Sequence, residues 1–372
     1  LCAKTKDIGY VDDASGSGLA FFLEDTMVIN SMLEAARTLN LGDGHIRLLR
    51  EAYSEPHRFY HTETHIDAVV AGVTKALDGA DGDINDWCAT VLAAIYHDVV
   101  YNPRSSTNES DSARVLELHV RGHFPDVVVN KAMELIHATD GTRIRSREMH
   151  SYARALVEAD LAVLLQREWD LLHYADLVYK EYQFHDYAAF VTAHVEVLRR
   201  SVAGIDMTKP DNFNEYENLL RHRRLRVGIL PGSFNPWHKG HADILKQAQA
   251  VFDKVVVARG ANPDKISVQG QASVTPTSIE NVPVCYETVC FTGTLMDLYN
   301  RYQAHTNYEV AIVRGLRNTA DLESEITQRH FVQDYAGKIP YAFFISDPAV
   351  AHISSHAIRN LQKLALPVSA YV

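Results

Sequence analysis

The sequence predicts two folds in tandem: an all-α helical bundle followed by an α/β domain with a parallel sheet. Three observations lead there. From about residue 20 to residue 203 the apolar residues recur at helical spacing, and strand-like alternation is scarce. After Leu225 short apolar runs alternate with amphipathic stretches, the grammar of a sheet whose strands are joined by helices. Residues 204–218, polar and containing Pro210, fit neither period. A chain of 372 residues is too long for one small core. The expected domains are therefore residues 1–224, with a linker at about 204–224, and residues 225–372.

In the helical half, Met32-Ala35-Ala36-Leu39, the run 89–95 and Phe190-Ala193-Val195-Leu198 each line one helix face. Residues 40–44 and 79–86 are rich in Gly and Asp and read as breaks. The basic run Arg221-His222-Arg223-Arg224 reads as a solvated linker, with anion binding as the alternative. Beyond it, strands are expected at 227–230, 254–258, 309–313 and 341–345. Helices are expected at 242–252, 295–303, 324–335 and 354–364, the last capped by Ser354. Residues 269–283 read as a loop, and no internal repeat is visible.

Composition narrows the function classes. A formal net charge of −11 argues against a nucleic-acid binder and against docking on an anionic membrane. Any phosphate-bearing ligand must be caught by a local basic pocket. No apolar run approaches the length of a membrane span, and residues 1–10 lack a charged-then-apolar signal pattern. The four cysteines, Cys2, Cys88, Cys285 and Cys290, match neither a disulfide framework nor a zinc knuckle, so a cytoplasmic setting is expected.

Two constellations carry chemistry. Gly232-Ser233-Phe234-Asn235-Pro236-Trp237-His238-Lys239-Gly240-His241 follows an apolar strand. A glycine turn and two histidines at a helix start aim N–H groups and imidazoles at one spot, which suits a polyphosphate. Upstream lie His61, His65, the pair His97-Asp98 at the end of an apolar helix, and Asp160. His61 and His65 are four apart and are expected on one helix face. Mixed nitrogen and oxygen donors suit a divalent transition metal without choosing among Mn, Fe, Co, Ni and Zn. Lys265 follows the second expected strand, and Arg314 and Arg317 follow the third. In a parallel sheet these strand ends share one edge with the glycine turn, so the cations converge where a transferring phosphoryl group needs them.

The upstream residues resemble the HD phosphohydrolase superfamily over most of residues 1–224. The carriers are Tyr60-His61-Thr62-Glu63-Thr64-His65, similar to a motif of cyclic-nucleotide phosphodiesterases, and Arg58-Phe59-Tyr60-His61. They continue with Tyr96-His97-Asp98-Val99-Val100-Tyr101 and Asn108-Glu109-Ser110-Asp111-Ser112-Ala113, and with Glu181-Tyr182 and residues 215–220. The resemblance implies an HD-domain bundle with His65, His97, Asp98 and Asp160 as metal ligands. It makes His61 the general acid for the leaving oxygen, with the metal lowering the pKa of a bound water. Glu109 and His137 remain open between a second metal, a substrate contact and a structural role. The substrate is not implied.

His238-Lys239-Gly240-His241 matches the H-x-G-H motif of the nucleotidyltransferase superfamily. Ile353-Ser354-Ser355-His356-Ala357-Ile358-Arg359 looks like its late serine motif. Arg314-Gly315-Leu316-Arg317, with Asp321 and Glu323-Ser324-Glu325, resembles phosphopantetheine adenylyltransferase. The resemblance implies a Rossmann-like nucleotidyltransferase domain that takes ATP with Mg²⁺ and a phosphorylated small-molecule acceptor. It assigns His241, Arg317, Ser354 and Ser355 to the ATP phosphates and Glu325 to the ribose. Gly232 and His238 stand in the nucleotide motif, and Ser233, where the family has threonine, bridges donor and acceptor phosphates. Lys265 and Arg314 hold the acceptor phosphate. Leu295 and Met296 line the acceptor groove or belong to the helix core.

Three departures touch the acceptor side: 269–283 replaces an expected helix, Ser324 stands for a tyrosine, and His238 is more usual in nicotinamide and nicotinate mononucleotide adenylyltransferases. The resemblances imply a bifunctional enzyme and, since the second family commonly forms hexamers, a homo-oligomer. The alternatives are mononucleotide adenylyl transfer, a non-catalytic nucleotide-binding regulator, and a helical half that serves as a structural arm.

Overall fold

The structure, a computed structural model, describes residues 28–78, 83–141, 149–165, 168–203, 213–260 and 279–372. Packing divides the chain into two compact units, with boundaries after residues 171, 195 and 211. The first unit holds α1 (Met32–Thr38), α2 (Asp43–Tyr53), α3 (Glu63–Ala76), α4 (Ile84–Tyr96), α5 (Asn108–Val120), α6 (Asp126–Ala138) and α7 (Ser151–Asp160), then a 3₁₀ turn, Leu161–Leu165. Helices α8 (Glu168–Glu181) and α9 (Tyr187–Ala203) both straddle the division.

The all-α reading of this half stands. Helix α4 is its centre: every residue from 88 to 96 is buried, which is why its sequence is apolar all round rather than striped. It packs against α3, α5, α6 and α7. A Cβ on Gly72 of α3 would come within 2.9 Å of Ala159 Cβ on α7. Only glycine permits that approach, and it draws Asp160 toward the histidine face of α3.

In the second unit, α10 (Phe213–His222) leads into β1 (Leu225–Gly232), followed by α11 (Lys239–Val251), β2 (Lys254–Gly260), β3 (Glu287–Phe291) and α12 (Leu295–Gln303). The chain closes with β4 (Tyr308–Leu316), α13 (Thr319–Ala336), β5 (Tyr341–Ile345) and α14 (Ser355–Lys363). All five strands are parallel, in the order β3-β2-β1-β4-β5. The chain moves outward from β1 in one direction, then returns to its other side. The carboxyl ends of β1 and β4 therefore flank the switch point at which such sheets bind ligands.

Residues 172–195 also pack in this unit. The Lys254 ammonium is 1% exposed and donates to Gln183 O (2.6 Å) and His185 O (2.9 Å), with Glu287 Oε2 at 2.6 Å. The Gln183 side chain accepts from Val255 N–H (2.7 Å) and donates to Gln249 Oε1 (2.8 Å). The loop between α8 and α9 thus closes the amino ends of β2 and β3.

The structure corrects some local expectations. Residues 213–218 are helical, in α10, rather than connector. Arg223 is not a solvated linker residue, because it pairs with Asp176 and Asp253; Arg221 pairs with Glu217 and Arg224 with Glu309. Strand β3 was not expected. Helix α13 begins at Thr319, where Asn318 accepts from Asp321 N–H as its cap. Helix α11 begins at Lys239, after the N-cap His238. Helix α3 begins at Glu63, so His61 precedes it and does not share a helix face with His65. Part of the expected loop at 269–283 lies outside the described residues.

Candidate active sites

The first site is a cleft of about 300 Å³ at the switch point of the sheet. His238, Gly240 and His241 line it from α11, Arg314, Gly315 and Arg317 from the end of β4, and Ser354 and Ser355 from the start of α14. Gly232 and Glu325 complete the expected residues found there. Sheet topology thus gathers groups separated by more than a hundred positions. A Cβ on Gly232 would sit 2.7 Å from the Phe234 ring, so the turn leaving β1 requires glycine there. Ser233 is exposed and falls outside the lining. Lys265 lies outside the described residues. Leu295 and Met296 are half-buried, whereas α12 buries Leu298 and Tyr302.

The two imidazoles are stacked, with ring centroids 3.6 Å apart. Phe234 meets the His241 ring edge-on at 5.0 Å, and Trp237 lies 5.3 Å away. Burial, then the neighbouring His238 ring and the Arg317 charge, depresses the His241 pKa to about 3. Burial and Arg317 hold His238 at about 4. Both rings are therefore neutral near pH 7, and the Nδ1 atom of each is buried without a hydrogen bond. Arg314 donates Nε–H to Glu325 Oε2 (2.7 Å), a second guanidinium nitrogen pairs with Glu325 Oε1, and a third reaches Pro231 O (3.4 Å). Arg317 forms a fork on Asp321 (2.9 and 3.0 Å). Each arginine is thus held in orientation by a carboxylate on α13. The Ser354 hydroxyl caps α14 by accepting from Ala357 N–H, and the Ser355 hydroxyl donates to Pro236 O (2.9 Å). Arg359, to which the serine motif gave no role, pairs with Asn235 O. Helix α14 is fastened in this way to the loop that carries the histidine motif.

The family model described as cytidylyltransferase-like matches residues 229–361. A phosphopantetheine adenylyltransferase of Clostridium perfringens (strain SM101) is 30% identical over 154 residues, covering 40% of this chain and 88% of that protein. The chain belongs to the phosphopantetheine adenylyltransferase family. The family relation resides in its second half. Further relatives carrying that name are those of Neisseria meningitidis serogroup C, 34% identical over 140 residues (37% of this chain, 79% of the relative), and Streptococcus sanguinis, 29% identical over 150 residues (40% and 88%). The family's matched segment contains both walls of the cleft.

The second site lies in the helical unit. His65 from α3, His97 and Asp98 from the end of α4, and Asp160 from the end of α7 converge. His97 Nε2 is 3.2 Å from Asp98 Oδ2 and 3.7 Å from Asp160 Oδ1. His65 Nε2 is 3.2 Å from Asp160 Oδ1 and 3.6 Å from Asp98 Oδ2. Both Nε2 atoms are buried, and neither makes an aligned hydrogen bond. The His97 Nδ1 lies 3.0 Å from Ala94 O and donates to it, which leaves Nε2 facing the carboxylates. The ligand atoms of His65, His97 and Asp98 all lie within 4.8 Å of one another. Two orphaned imidazole nitrogens facing two carboxylates fit a divalent first-row cation. Burial disfavours the charged His65 ring, but Asp160 and Asp98 outweigh it and raise its pKa.

Around this centre the His61 ring lies 5.7 Å from that of His65 and stacks on Tyr101 at 4.1 Å. Buried Arg58 donates to His61 O (3.2 Å), Asp98 O (2.7 Å) and Val99 O (3.0 Å), tying the two ligand-bearing segments together. Glu109 stands in the first turn of α5 and His137 in the last turn of α6.

Proposed function

We propose that the second half transfers AMP from MgATP to 4′-phosphopantetheine, giving dephospho-CoA and pyrophosphate. The supporting observation is the cleft in which His238, His241, Arg314, Arg317 and the Ser354-Ser355 helix start meet, in a segment 30% identical to a named phosphopantetheine adenylyltransferase. An acceptor phosphate oxygen attacks the α-phosphorus, the bond to the β-phosphate oxygen breaks, and pyrophosphate leaves. The nucleophile is already anionic, so no side chain needs to remove its proton, and catalysis reduces to alignment and charge stabilisation. Neutral His241 donates a ring N–H to the charge that builds on the phosphates. Arg317 and Arg314 neutralise the nucleotide and the acceptor, their carboxylate partners keeping the guanidinium planes aimed at the cleft. Incubation with ATP, Mg²⁺ and 4′-phosphopantetheine, and in parallel with nicotinamide mononucleotide, followed by product mass, tests the acceptor. Buried His238 favours keeping the mononucleotide arm. Turnover of neither defeats transfer, and ATP binding with no turnover favours a nucleotide-binding regulator.

A second activity, a metal-dependent phosphohydrolase, is favoured by the two orphaned imidazole nitrogens, His65 Nε2 on α3 and His97 Nε2 at the end of α4. His65, His97, Asp98 and Asp160 would hold the metal, which supplies Lewis acidity for attack of water on phosphorus. His61 gives a proton to the departing oxygen. We assign hydrolysis to residues 1–224 and transfer to residues 225–372 as functional segments. Metal content of the purified protein and phosphate release from a panel of phosphomonoesters and phosphodiesters test this reading. Protein free of divalent metal and inert on every ester would leave the helical unit a structural arm.

A further inference from the structure

Helix α11 does more than present the histidine motif. Asp243, two residues past His241, and Gln247, one turn further, face the exit of β5. Asp243 Oδ2 accepts from Asp347 N–H (2.9 Å) and from Gln247 Nε2 (3.1 Å), and lies 3.5 Å from the Ser346 hydroxyl. The same Gln247 nitrogen donates to Ile345 O (2.9 Å). Asp347 in turn organises the residues just beyond it: its carbonyl accepts from Val350 N–H (3.0 Å) and Ala351 N–H (2.9 Å), and its side chain from Ala349 N–H (2.8 Å). Ser346 N–H is tied to Leu316 O (2.8 Å), at the end of β4.

The turn from 346 to 354 is thus tied to α11 through the Asp243 carboxylate and to β4 through Ser346 N–H, and it forms a wall of the cleft through Ser346, Val350, Ile353 and Ser354. A Cβ on Gly240 would lie 3.6 Å from Val350 O, so this wall also packs directly on the helix start. Asp243 itself is outside the cleft lining. We propose that Asp243 is a positioning residue for nucleotide binding: it fixes the wall carrying Ser346 and Ser354 against the helix start carrying His238 and His241. Arg314, assigned to the acceptor phosphate, is oriented by Glu325 on α13 and not by Asp243 or Gln247, so it keeps its own anchor when the tether is lost. The inference rests on the transferase reading above.

The test compares wild type with Asp243→Ala, Asp243→Asn and Gln247→Ala, measuring KM for ATP, KM for 4′-phosphopantetheine, kcat, ATP affinity by calorimetry and thermal midpoint. Loss of the tether in Asp243→Ala is expected to raise KM for ATP about tenfold, the scale of one charge-assisted hydrogen bond. The acceptor KM should stay within roughly twofold of wild type, because Arg314 keeps its bond to Glu325. Asp243→Asn keeps an acceptor oxygen for Asp347 N–H and should recover most of the loss, while Gln247→Ala should lie between. Unchanged KM for ATP in Asp243→Ala, or equal increases for both substrates, overturns the proposal. If Asp243→Ala does not fold, a normal KM for ATP in Gln247→Ala overturns it equally. A wild-type protein that binds ATP but turns over neither acceptor sinks the transferase reading alone, and the Asp243 effect is then read in ATP affinity. A wild-type protein that does not bind ATP sinks both.

Discussion

His241 is half-buried, neutral and stacked on a second neutral ring, in a cleft that two arginines also line. Burial, with the His238 ring and the Arg317 charge behind it, holds its pKa at about 3, and an incoming triphosphate opposes the Arg317 part, because a nearby anion favours the charged imidazole. ATP binding near pH 5 is therefore expected to take up protons, and binding at pH 8 to take up none. Calorimetry in two buffers of different ionisation heat reads this directly. His241→Ala is expected to lower kcat by roughly 10²-fold or more, the scale of removing one preorganised donor at a transition-state charge; steady-state rates check it. At the other site, His97→Ala removes one of two orphaned nitrogens of the proposed metal site and should lower the divalent-metal content of purified protein, as read by elemental analysis. These residues were legible because their chemistry is concentrated in short motifs. Asp243, Gln247 and Arg359 were not, since each acts through a backbone group about a hundred positions away and no spacing announces it.

At the scale of elements, the sheet and its helices follow from alternating patterns, and four of the five strands were expected. The fifth, β3, is an edge strand whose residues Glu287, Val289 and Phe291 are half-buried while Thr288 and Cys290 are exposed. Such a strand lacks the continuous apolar run that exposed β1 and β2 to view. The helical hairpin formed by α8 and α9 was legible as helix, but not as part of the sheet unit. Its attachment is a buried ammonium and an amide, and neither carries a period. Lys254→Ala should show how much that attachment contributes. It leaves half-buried Glu287 without its cation and the Gln183 and His185 carbonyls without their donor, and is expected to cost about 3 kcal/mol. Chemical denaturation monitored in the sheet unit provides the measurement. For the same reason, residues 225–372 expressed alone should be less stable than residues 172–372, with the Gln183 bond to Val255 N–H lost.

Across the whole molecule, titration and packing meet at His194. Its ring is 7% exposed, its Nε2 lies 3.0 Å from the Tyr216 hydroxyl, and burial lowers its pKa to about 4. The depressed value means the unfolded chain binds this proton more readily. The associated stability is complete above the unfolded pKa near 6.5 and is lost as pH falls toward 4. Its span is roughly 3 kcal/mol. His238 and His241, also depressed, act in the same direction. Thermal midpoints taken from pH 7 to pH 4 should fall steadily, and His194→Gln should flatten that dependence.

Because the chain passes between its two packed units three times, at residues 171, 195 and 211, one severed peptide bond does not release either of them. A protease nick just before α10 leaves residues 172–195 covalently joined to the helical portion while still clasping Lys254. Nicked material should migrate as a single species in gel filtration and fall into two bands only once detergent has dissolved that grip.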